Sequence, residues 1–343
     1  MTTVDSRPVD QGRPTPDRSW RSAVDRLRRS ETGRIFGALV ILCAVFSILR
    51  PHAFPTTGNI VNIASDASVL LVLAVGATYV ILTAGIDLSV SGVLVFAGVI
   101  AAKVMQALGG QSVGVLLLGL LAGMVAGLAW GLVNGFLVAK ARIPALIVTL
   151  GTMGASQGAA LLITNGVDVR DVPFNLVLSV GSGTVAGVPW LVVIALAMAM
   201  IGGIVLSQTR FGRYTYAAGS NREALRRTGV NASRHLIKVY AVAGLLAGLA
   251  GYLSLARFAT TTLGGHATDN LSTIAAVVIG GTSLFGGRGT MIGTVIGVFI
   301  PTVLQNGFVV LGVQAFWQQV AVGVVLIAAV YLDQMRRAAR ERP

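Results

Sequence analysis

The sequence predicts an all-α polytopic membrane protein with about ten transmembrane helices. Of its 343 residues, 54% are hydrophobic and only 11% are charged, whereas about a quarter of the residues in a soluble domain are charged. Ten apolar segments approach the roughly 20 residues that a helix needs to cross a bilayer. The basic residues, which give a net charge of +13, cluster between these segments. That distribution argues against a nucleic-acid-binding surface.

The apolar segments follow one another closely enough to form a single transmembrane domain over residues 34–333. Before it, residues 1–33 are polar and rich in arginine, which predicts a disordered basic cytoplasmic tail. After it, residues 334–343 form a second basic cytoplasmic tail. The ten candidate spans are 34–49, 60–84, 88–108, 113–139, 143–164, 189–207, 238–258, 271–285, 290–310 and 315–332.

The distribution of charge predicts the orientation. If both termini are cytoplasmic, every Lys and Arg lies in an inner loop or tail except Arg50, Lys103, Arg170 and Arg257. An excess of Lys and Arg is the mark of cytoplasmic loops. The sequence therefore predicts ten spans with the N- and C-termini inside. The segments within 271–310 are short, and a broken or re-entrant pair is the alternative there.

Glycines in the fourth span predict close helix packing. They recur every four residues on one helix face, where small side chains let two backbones approach each other. A structural role is therefore favoured over a ligand role. The glycines are Gly119, Gly123, Gly127 and Gly131.

Two loops interrupt the membrane pattern at comparable positions. TAGIDLSVSG occupies residues 83–92, and IGGTSLFGGRGT occupies residues 279–290. Broken helices at matched positions are common in transporters, so these loops suggest a weak internal duplication. We expect the second loop to be a close-packed turn with positive φ angles at Gly280, Gly281, Gly286 and Gly287.

The longest polar interruption in the second half of the chain covers residues 210–238. It carries seven basic residues and one carboxylate, Glu223. Asn221 is a candidate N-cap for a short helix, Gly229 lies where that helix would end, and either Asn231 or Ser233 could begin the next helix. A short surface helix of this kind suits a docking site for a soluble partner. A basic loop that only sets the topology is the simpler interpretation of its charge.

The sequence contains no recognisable catalytic constellation. It lacks HExxH and GxSxG motifs, and the glycine-rich run at 280–289 lacks the Gly-Lys-Ser/Thr ending of a phosphate loop. Only Asp66 and Asp87 lie at membrane depth, too few for a proton relay. A single cysteine, Cys43, provides neither a disulfide framework nor a metal-ligand set. We therefore expect no enzymatic activity, no metal and no cofactor, with the energy source on a separate chain.

Five stretches together resemble a known family. They are VGATYVILTAGIDLSVSG, IPALIVTLGTM, RFGRYTYAAGSNREALRRTGVN, LLAGLAGYLSLAR and IAAVVIGGTSLFGGRGTMIGTVIG. In this order, within residues 34–332, they resemble the permease subunit of bacterial ABC sugar importers of the ribose/xylose/arabinose type. The resemblance implies an inner-membrane permease homodimer or heterodimer, cytoplasmic ATPase subunits that bind ATP, and an extracytoplasmic sugar-binding protein. It also implies ATPase contacts by the loop residues Gly219, Asn221, Glu223, Ala224 and Gly229.

The function that the resemblance implies is passage of a pentose or hexose delivered by the binding protein. Alternatives are a permease for branched-chain amino acids or nucleosides, an ion-coupled secondary carrier, and a membrane protein with only a structural role. Asn270 and Ser272 stand where the family usually carries Glu and Asp, near the pathway entrance. Polar residues on or beside the spans are candidates for the pathway, although for each one taken alone an interhelical hydrogen bond is the favoured role. They are Asn62, Asp66, Asp87, Asn134, Gln157 and Asn306, with Thr78, Tyr79, Thr149 and Gln305.

Asp87 has two possible roles. It precedes the span that starts at Leu88, where a carboxylate can accept hydrogen bonds from exposed amides and favour the positive end of the helix dipole. It could instead be a charged contact or gate in the pathway. The capping role is favoured, because caps of this kind are common.

Overall fold

The computed structural model describes residues 31–341, so most of the predicted N-terminal tail and the last two residues lie outside the described part. Within that part, the chain forms thirteen α-helices and one two-stranded antiparallel hairpin. The first helices are α1 (Glu31–Leu49), α2 (Thr57–Leu82), α3 (Val90–Leu108), α4 (Val113–Ala139), α5 (Ala145–Thr164) and the short α6 (Phe174–Leu176), which continues as a π-turn over Val177–Gly181. The hairpin strands β1 (Thr184–Val185) and β2 (Val188–Pro189) follow. The remaining helices are α7 (Trp190–Gln208), α8 (Arg210–Ser220), α9 (Arg222–Arg227), α10 (Ala232–Phe258), α11 (Asp269–Ile279), α12 (Met291–Leu311) and α13 (Ala315–Glu341).

All ten predicted segments are helical, which confirms the all-α polytopic class. Among the described residues, eight helices are long and apolar enough to cross a membrane: α1 to α5, α7, α10 and α12. Ile41, Leu162 and Met200 are among the large apolar side chains left exposed on their outer faces, as a lipid environment permits. The tenth segment lies in α13, which remains helical up to Glu341, through most of the predicted C-terminal tail.

The segment predicted at 271–285 does not form a complete span. Its helix, α11, has 11 residues and is therefore about 16 Å long, roughly half of the 30 Å hydrocarbon core. A non-helical stretch from Ala259 to Thr268 precedes α11, and Ala259 and Thr262 have positive φ angles in it. The broken-helix alternative is thus confirmed for this part of the chain.

Helices α4 and α10 pack with their backbones in direct contact. A Cβ at Gly127 would collide with the Gly244 carbonyl oxygen and with the backbone of Gly248. Gly131 meets the backbone of Gly244 in the same way. The predicted packing role of the α4 glycines is confirmed, because two helix backbones are in contact with no side chain between them.

The two predicted loop interruptions contact each other. The Gly287 amide donates to the Leu82 carbonyl oxygen at 2.9 Å, where α2 ends. Gly219, in α8, lies against the same two groups, because a Cβ there would collide with the Leu82 oxygen and the Gly287 nitrogen. Three segments that are distant in sequence therefore meet at one point, the Leu82–Gly219–Gly287 junction.

The predicted positive φ angles in the second loop are confirmed at three of four glycines. Gly281, Gly286 and Gly287 have φ of 89°, 80° and 71°. The prediction is wrong for Gly280, whose φ is −61°. Gly280 instead allows close packing, because a Cβ there would collide with the Gly293 backbone at the start of α12.

The polar region 210–238 contains the predicted short helix and one further helix. Asn221 caps α9 by accepting from the Ala224 amide at 2.9 Å, and Asn231 caps α10 by accepting from the Arg234 amide at 2.9 Å. Gly229, with φ of 81°, follows the end of α9 as predicted. The sequence reasoning missed α8, which runs from Arg210 to Ser220.

The α4–α10 contact predicts a strong effect from the smallest possible substitution. Gly127→Ala should lower the midpoint of thermal denaturation in detergent, because overpacking of this kind costs about 1–3 kcal/mol. Gly37→Ala in α1 is the matched control, since a Cβ there meets nothing within 4 Å and alanine favours a helix. Equal midpoints for the two variants would contradict the close-contact role of Gly127.

Candidate functional site

A cavity of about 340 Å³ lies between α2, the stretch before α11, α11 itself and α12. Polar side chains make up much of its wall: Asp66, Thr262, His266, Asp269, Ser272, Thr302 and Gln305. Val69, Leu70 and Phe258 supply the apolar part. The cavity exists because α10 stops at Phe258 and α11 is short, so non-helical chain occupies the depth that a full span would fill.

An ion pair stands at the cavity wall. Arg257 Nε donates to Asp66 Oδ1 at 3.1 Å, and its Nη2 donates to Asn62 Oδ1 at 3.3 Å. The Asp66 side chain is 43% exposed and that of Arg257 is 23% exposed. The pair joins α2 to the end of α10. Because both charges are satisfied there, neither is left for a charged ligand without breaking the pair.

A buried histidine network forms the opposite wall. His266 Nε2 lies 2.7 Å from Ser254 Oγ on α10, and His266 Nδ1 lies 2.7 Å from Asp269 Oδ2 at the start of α11. These bonds fold the stretch before α11 back against α10. His266 received no role in the sequence analysis. Its only local signal is the polar cluster HATDN beside an apolar span.

Two hydroxyl groups in the cavity wall lack an internal partner. Thr262 Oγ1 and Ser272 Oγ are buried and make no hydrogen bond within the described part of the chain. A buried polar group without a partner is unfavourable by about 1–3 kcal/mol. Such groups can bind a ligand that carries hydroxyls of its own. The cavity therefore suits a small, neutral, polar molecule.

A second polar network lies where the chain breaks between α2 and α3. Asp87 Oδ1 accepts from the Ser89 amide at 2.9 Å and from the Ser89 hydroxyl. Asn134 Nδ2 donates to Ser89 Oγ at 2.7 Å, and Thr152 donates to Asn134 Oδ1 at 2.7 Å. The network joins the break to α4 and α5. Asn270 also reaches it, donating to the Leu88 carbonyl oxygen at 3.4 Å.

The predicted cap position was wrong for Asp87. Ser89 occupies the N-cap position of α3. Asp87, two residues before Ser89, accepts a hydrogen bond from the Ser89 amide. Asp87 nevertheless binds an exposed backbone amide, as the capping hypothesis required. It is 5% exposed and has no ion-pair partner among residues 31–341.

The six predicted pathway residues lie in four separate places. Asp66 lines the cavity, and both Asn62 and Asp66 accept hydrogen bonds from Arg257. The side chains of Asn306 and Asn59 are joined by two hydrogen bonds of 2.9 and 3.0 Å. Asp87 and Asn134 belong to the buried network at the α2–α3 break. Gln157 is half-buried on α5, apart from the cavity lining. Their role in a pathway stays a prediction.

The predicted docking residues lie at or near α9, on the side of the protein assigned to the cytoplasm by charge. Glu223 and Ala224 are exposed, and Glu223 pairs with Arg227 at 3.7 Å. Behind them, α8 is tied to the second loop by Tyr216, whose hydroxyl donates to the Gly289 carbonyl oxygen at 2.8 Å. Burial raises the pKa of Tyr216, which keeps this hydroxyl protonated as a donor at neutral pH.

Comparison with known proteins gives a consistent set of relatives. Residues 59–330 match the family model described as branched-chain amino acid transport system / permease component. The chain is 40% identical over 303 residues to the ribose import permease protein RbsC of Escherichia coli K12, covering 88% of this chain and 92% of the relative. It is 36% identical to the D-allose transport system permease protein AlsC of the same strain, covering 88% and 90%.

A third relative extends over almost the whole chain. The probable ABC transporter permease protein y4mJ of Sinorhizobium fredii is 34% identical over 335 residues, covering 97% of this chain and 98% of the relative. No solved structure gave a significant match.

The network at the α2–α3 break predicts different outcomes for two substitutions of Asp87. Asp87→Asn keeps an oxygen that accepts both bonds from Ser89 and removes a buried charge, so the thermal midpoint should stay within a few degrees of wild type. Asp87→Ala leaves buried donors unpaired, at a cost of about 1–3 kcal/mol, and should lower the midpoint. If transport fails in a well-folded Asp87→Asn protein, the charge itself is required and a purely structural role is wrong.

Proposed function

The chain belongs to the family of branched-chain amino acid transport system permease components, and we propose that it is the permease subunit of an ATP-driven monosaccharide importer. The observation that carries this proposal is the 40% identity to a ribose import permease over 88% of the chain. Within a multi-pass protein of the bacterial inner membrane, the chain would form the pathway for a pentose or hexose. It would bind no ATP and catalyse no reaction itself.

The cavity chemistry supports a sugar over an amino acid. A branched-chain amino acid needs an apolar pocket together with opposite charges for its ammonium and carboxylate groups. Here Arg257 is already paired with Asp66, whereas Thr262 and Ser272 offer buried hydroxyls without partners. The cavity volume, about 340 Å³, is at the small end of ligand pockets, about 300–1,000 Å³. The similarity to ribose and D-allose permeases disfavours a nucleoside permease.

The ATPase would dock at α9. Its Glu223–Arg227 pair is exposed, with side-chain exposures of 64% and 80%, and Ala224 faces outward beside it. A displacement of α9 would pass through α8 to Gly219, which touches the ends of both loop interruptions. This arrangement gives a docked motor a direct mechanical connection to the broken helices. The further partners are a second permease copy and an extracytoplasmic sugar-binding protein.

Reconstitution tests the proposed function. The chain should be placed in liposomes with the ATPase and the binding protein of the same importer, and uptake of labelled ribose, allose and other monosaccharides measured. Uptake should require ATP, both partners and one of these sugars. Uptake by the chain alone, driven by a proton or ion gradient, would identify a secondary carrier instead.

Docking at α9 can be tested in the same complex. With Cys43 replaced, a cysteine at position 224 should crosslink to a cysteine in the ATPase. Labelling of position 224 by an impermeant thiol reagent from outside intact cells would contradict the topology.

Ser272 allows a test of the sugar site in which stability and transport change in opposite directions. Ser272→Ala removes a buried hydroxyl without a partner, so the thermal midpoint should stay the same or rise. Uptake at low sugar concentration should fall about 3- to 10-fold, the value of one neutral hydrogen bond. Ser65→Ala is the control, because the Ser65 hydroxyl binds only the Val61 carbonyl oxygen of its own helix. Unchanged uptake in Ser272→Ala would remove this residue from the site.

A further inference from the structure

A second cavity, of about 510 Å³, lies at the cytoplasmic end of the protein. Its wall comes from the start of the α2–α3 break, the turn between α4 and α5, helix α9 and the first turns of α10. None of the residues that line the sugar cavity lines this one. It therefore needs its own explanation.

Three arginines line this cavity: Arg142, Arg222 and Arg226. No carboxylate is among the lining residues, and none of the three makes an ion pair within residues 31–341. Within residues 31–341, the one side-chain hydrogen bond of these three arginines is long, since Arg222 Nη2 lies 3.5 Å from the Thr83 carbonyl oxygen. Three guanidinium groups around one space without a counter-charge favour an anion.

A buried hydroxyl lies beside the same space. Tyr240 is fully buried, it lines the cavity, and its hydroxyl makes no hydrogen bond to any described residue. The hydroxyl lies beside Gly85, where a Cβ would come within 2.8 Å of it. A buried donor without a partner is unfavourable, and a bound oxyanion in the cavity would satisfy it.

The start of α5 adds backbone donors. This 20-residue helix begins after Pro144, and no side chain caps its first amides. Pro144 and Ala145 both line the cavity. Free amides and the positive end of the helix dipole bind phosphate-like anions. The neighbouring helices α9 and α10 have asparagine caps. Of the three helices whose first turns line the cavity, α5 is therefore the one whose first amides have no side-chain cap.

The arginines lie on a different side of α9 from the exposed ion pair. Arg222 and Arg226 are four residues apart and both line the cavity, whereas Glu223 and Arg227 pair with each other in solvent. Residues four apart share a helix face. The cavity therefore lies beside α9, between this helix and the turn from α4 to α5, and its three arginines are exposed at its mouth.

We propose that this cavity binds a phosphate-bearing anion through Arg142, Arg222, Arg226, the Tyr240 hydroxyl and the free amides of α5. The bound anion would tie α9 to the turn between α4 and α5. Its source is either the headgroup of an anionic lipid or a soluble phosphorylated metabolite of the cytoplasm. The inference concerns binding at the inner face and does not rest on which substrate is transported.

Binding can be measured on the purified chain in nanodiscs of phosphatidylcholine. Inorganic phosphate, added at constant ionic strength with chloride as the reference anion, should raise the thermal midpoint in a saturable manner if the ligand is soluble. If the ligand is a lipid, phosphatidylglycerol in the nanodisc should raise the midpoint and be retained in native mass spectra. Either result supports the site provided that the variants below respond as expected.

Single substitutions distinguish binding in the cavity from nonspecific attraction of anions to a basic surface. Arg226→Gln should weaken the response at least about tenfold, as expected for a charge-assisted bond, whereas Arg227→Gln removes the same charge outside the cavity and should leave it unchanged. Tyr240→Phe should weaken the response without lowering the midpoint measured in the absence of the anion. Equal loss in Arg226→Gln and Arg227→Gln, or no response to either phosphate or phosphatidylglycerol, would overturn the proposal.

Discussion

The structure depends on backbone segments that touch without side chains between them. Gly127 and Gly131 of α4 meet Gly244 and Gly248 of α10, and the Gly287 amide binds the Leu82 carbonyl oxygen. In a membrane no water satisfies a free backbone group, so non-helical chain survives only where protein supplies its hydrogen bonds. The close α4–α10 contact builds a frame that holds the two interruptions together, and the interruptions satisfy each other.

This frame explains how one small subunit can provide both a pathway and a connection to a motor. The broken helices leave space for the cavity near His266, and they also meet at the Leu82–Gly219–Gly287 junction on the inner face. Gly219 touches both interruptions, so α8 and α9 are linked to them by backbone contact. Helices packed in this way shift as units rather than bend locally. A displacement of α9 would therefore also displace the ends of the two loop interruptions.

The sequence predicted the features that depend on local chemistry and missed those that depend on the fold. The ten apolar segments, the Asn221 cap and the end at Gly229 follow from composition and capping rules that act over a few residues. Helix α8 was missed because its 11 residues, with two arginines and two glycines among them, do not match a span. The bonds from His266 to Ser254 and Asp269 need the stretch before α11 to fold back on α10. Hydrophobic periodicity in the sequence indicates neither this reversal of the chain nor the packing of Gly280 against the Gly293 backbone.

The most direct measurement is the number of sugar molecules moved per ATP hydrolysed by the complete transporter carrying Gly219→Ala. The added Cβ must displace the Leu82 oxygen or the Gly287 nitrogen, whereas in the control, Gly114→Ala, it lies 3.7 Å from Ser112 Oγ, an ordinary contact. If the junction transmits motion from α9 to the pathway, Gly219→Ala should assemble and hydrolyse ATP but transport far less sugar per ATP than the control. An unchanged ratio in an assembled Gly219→Ala complex would show that coupling does not pass through this junction.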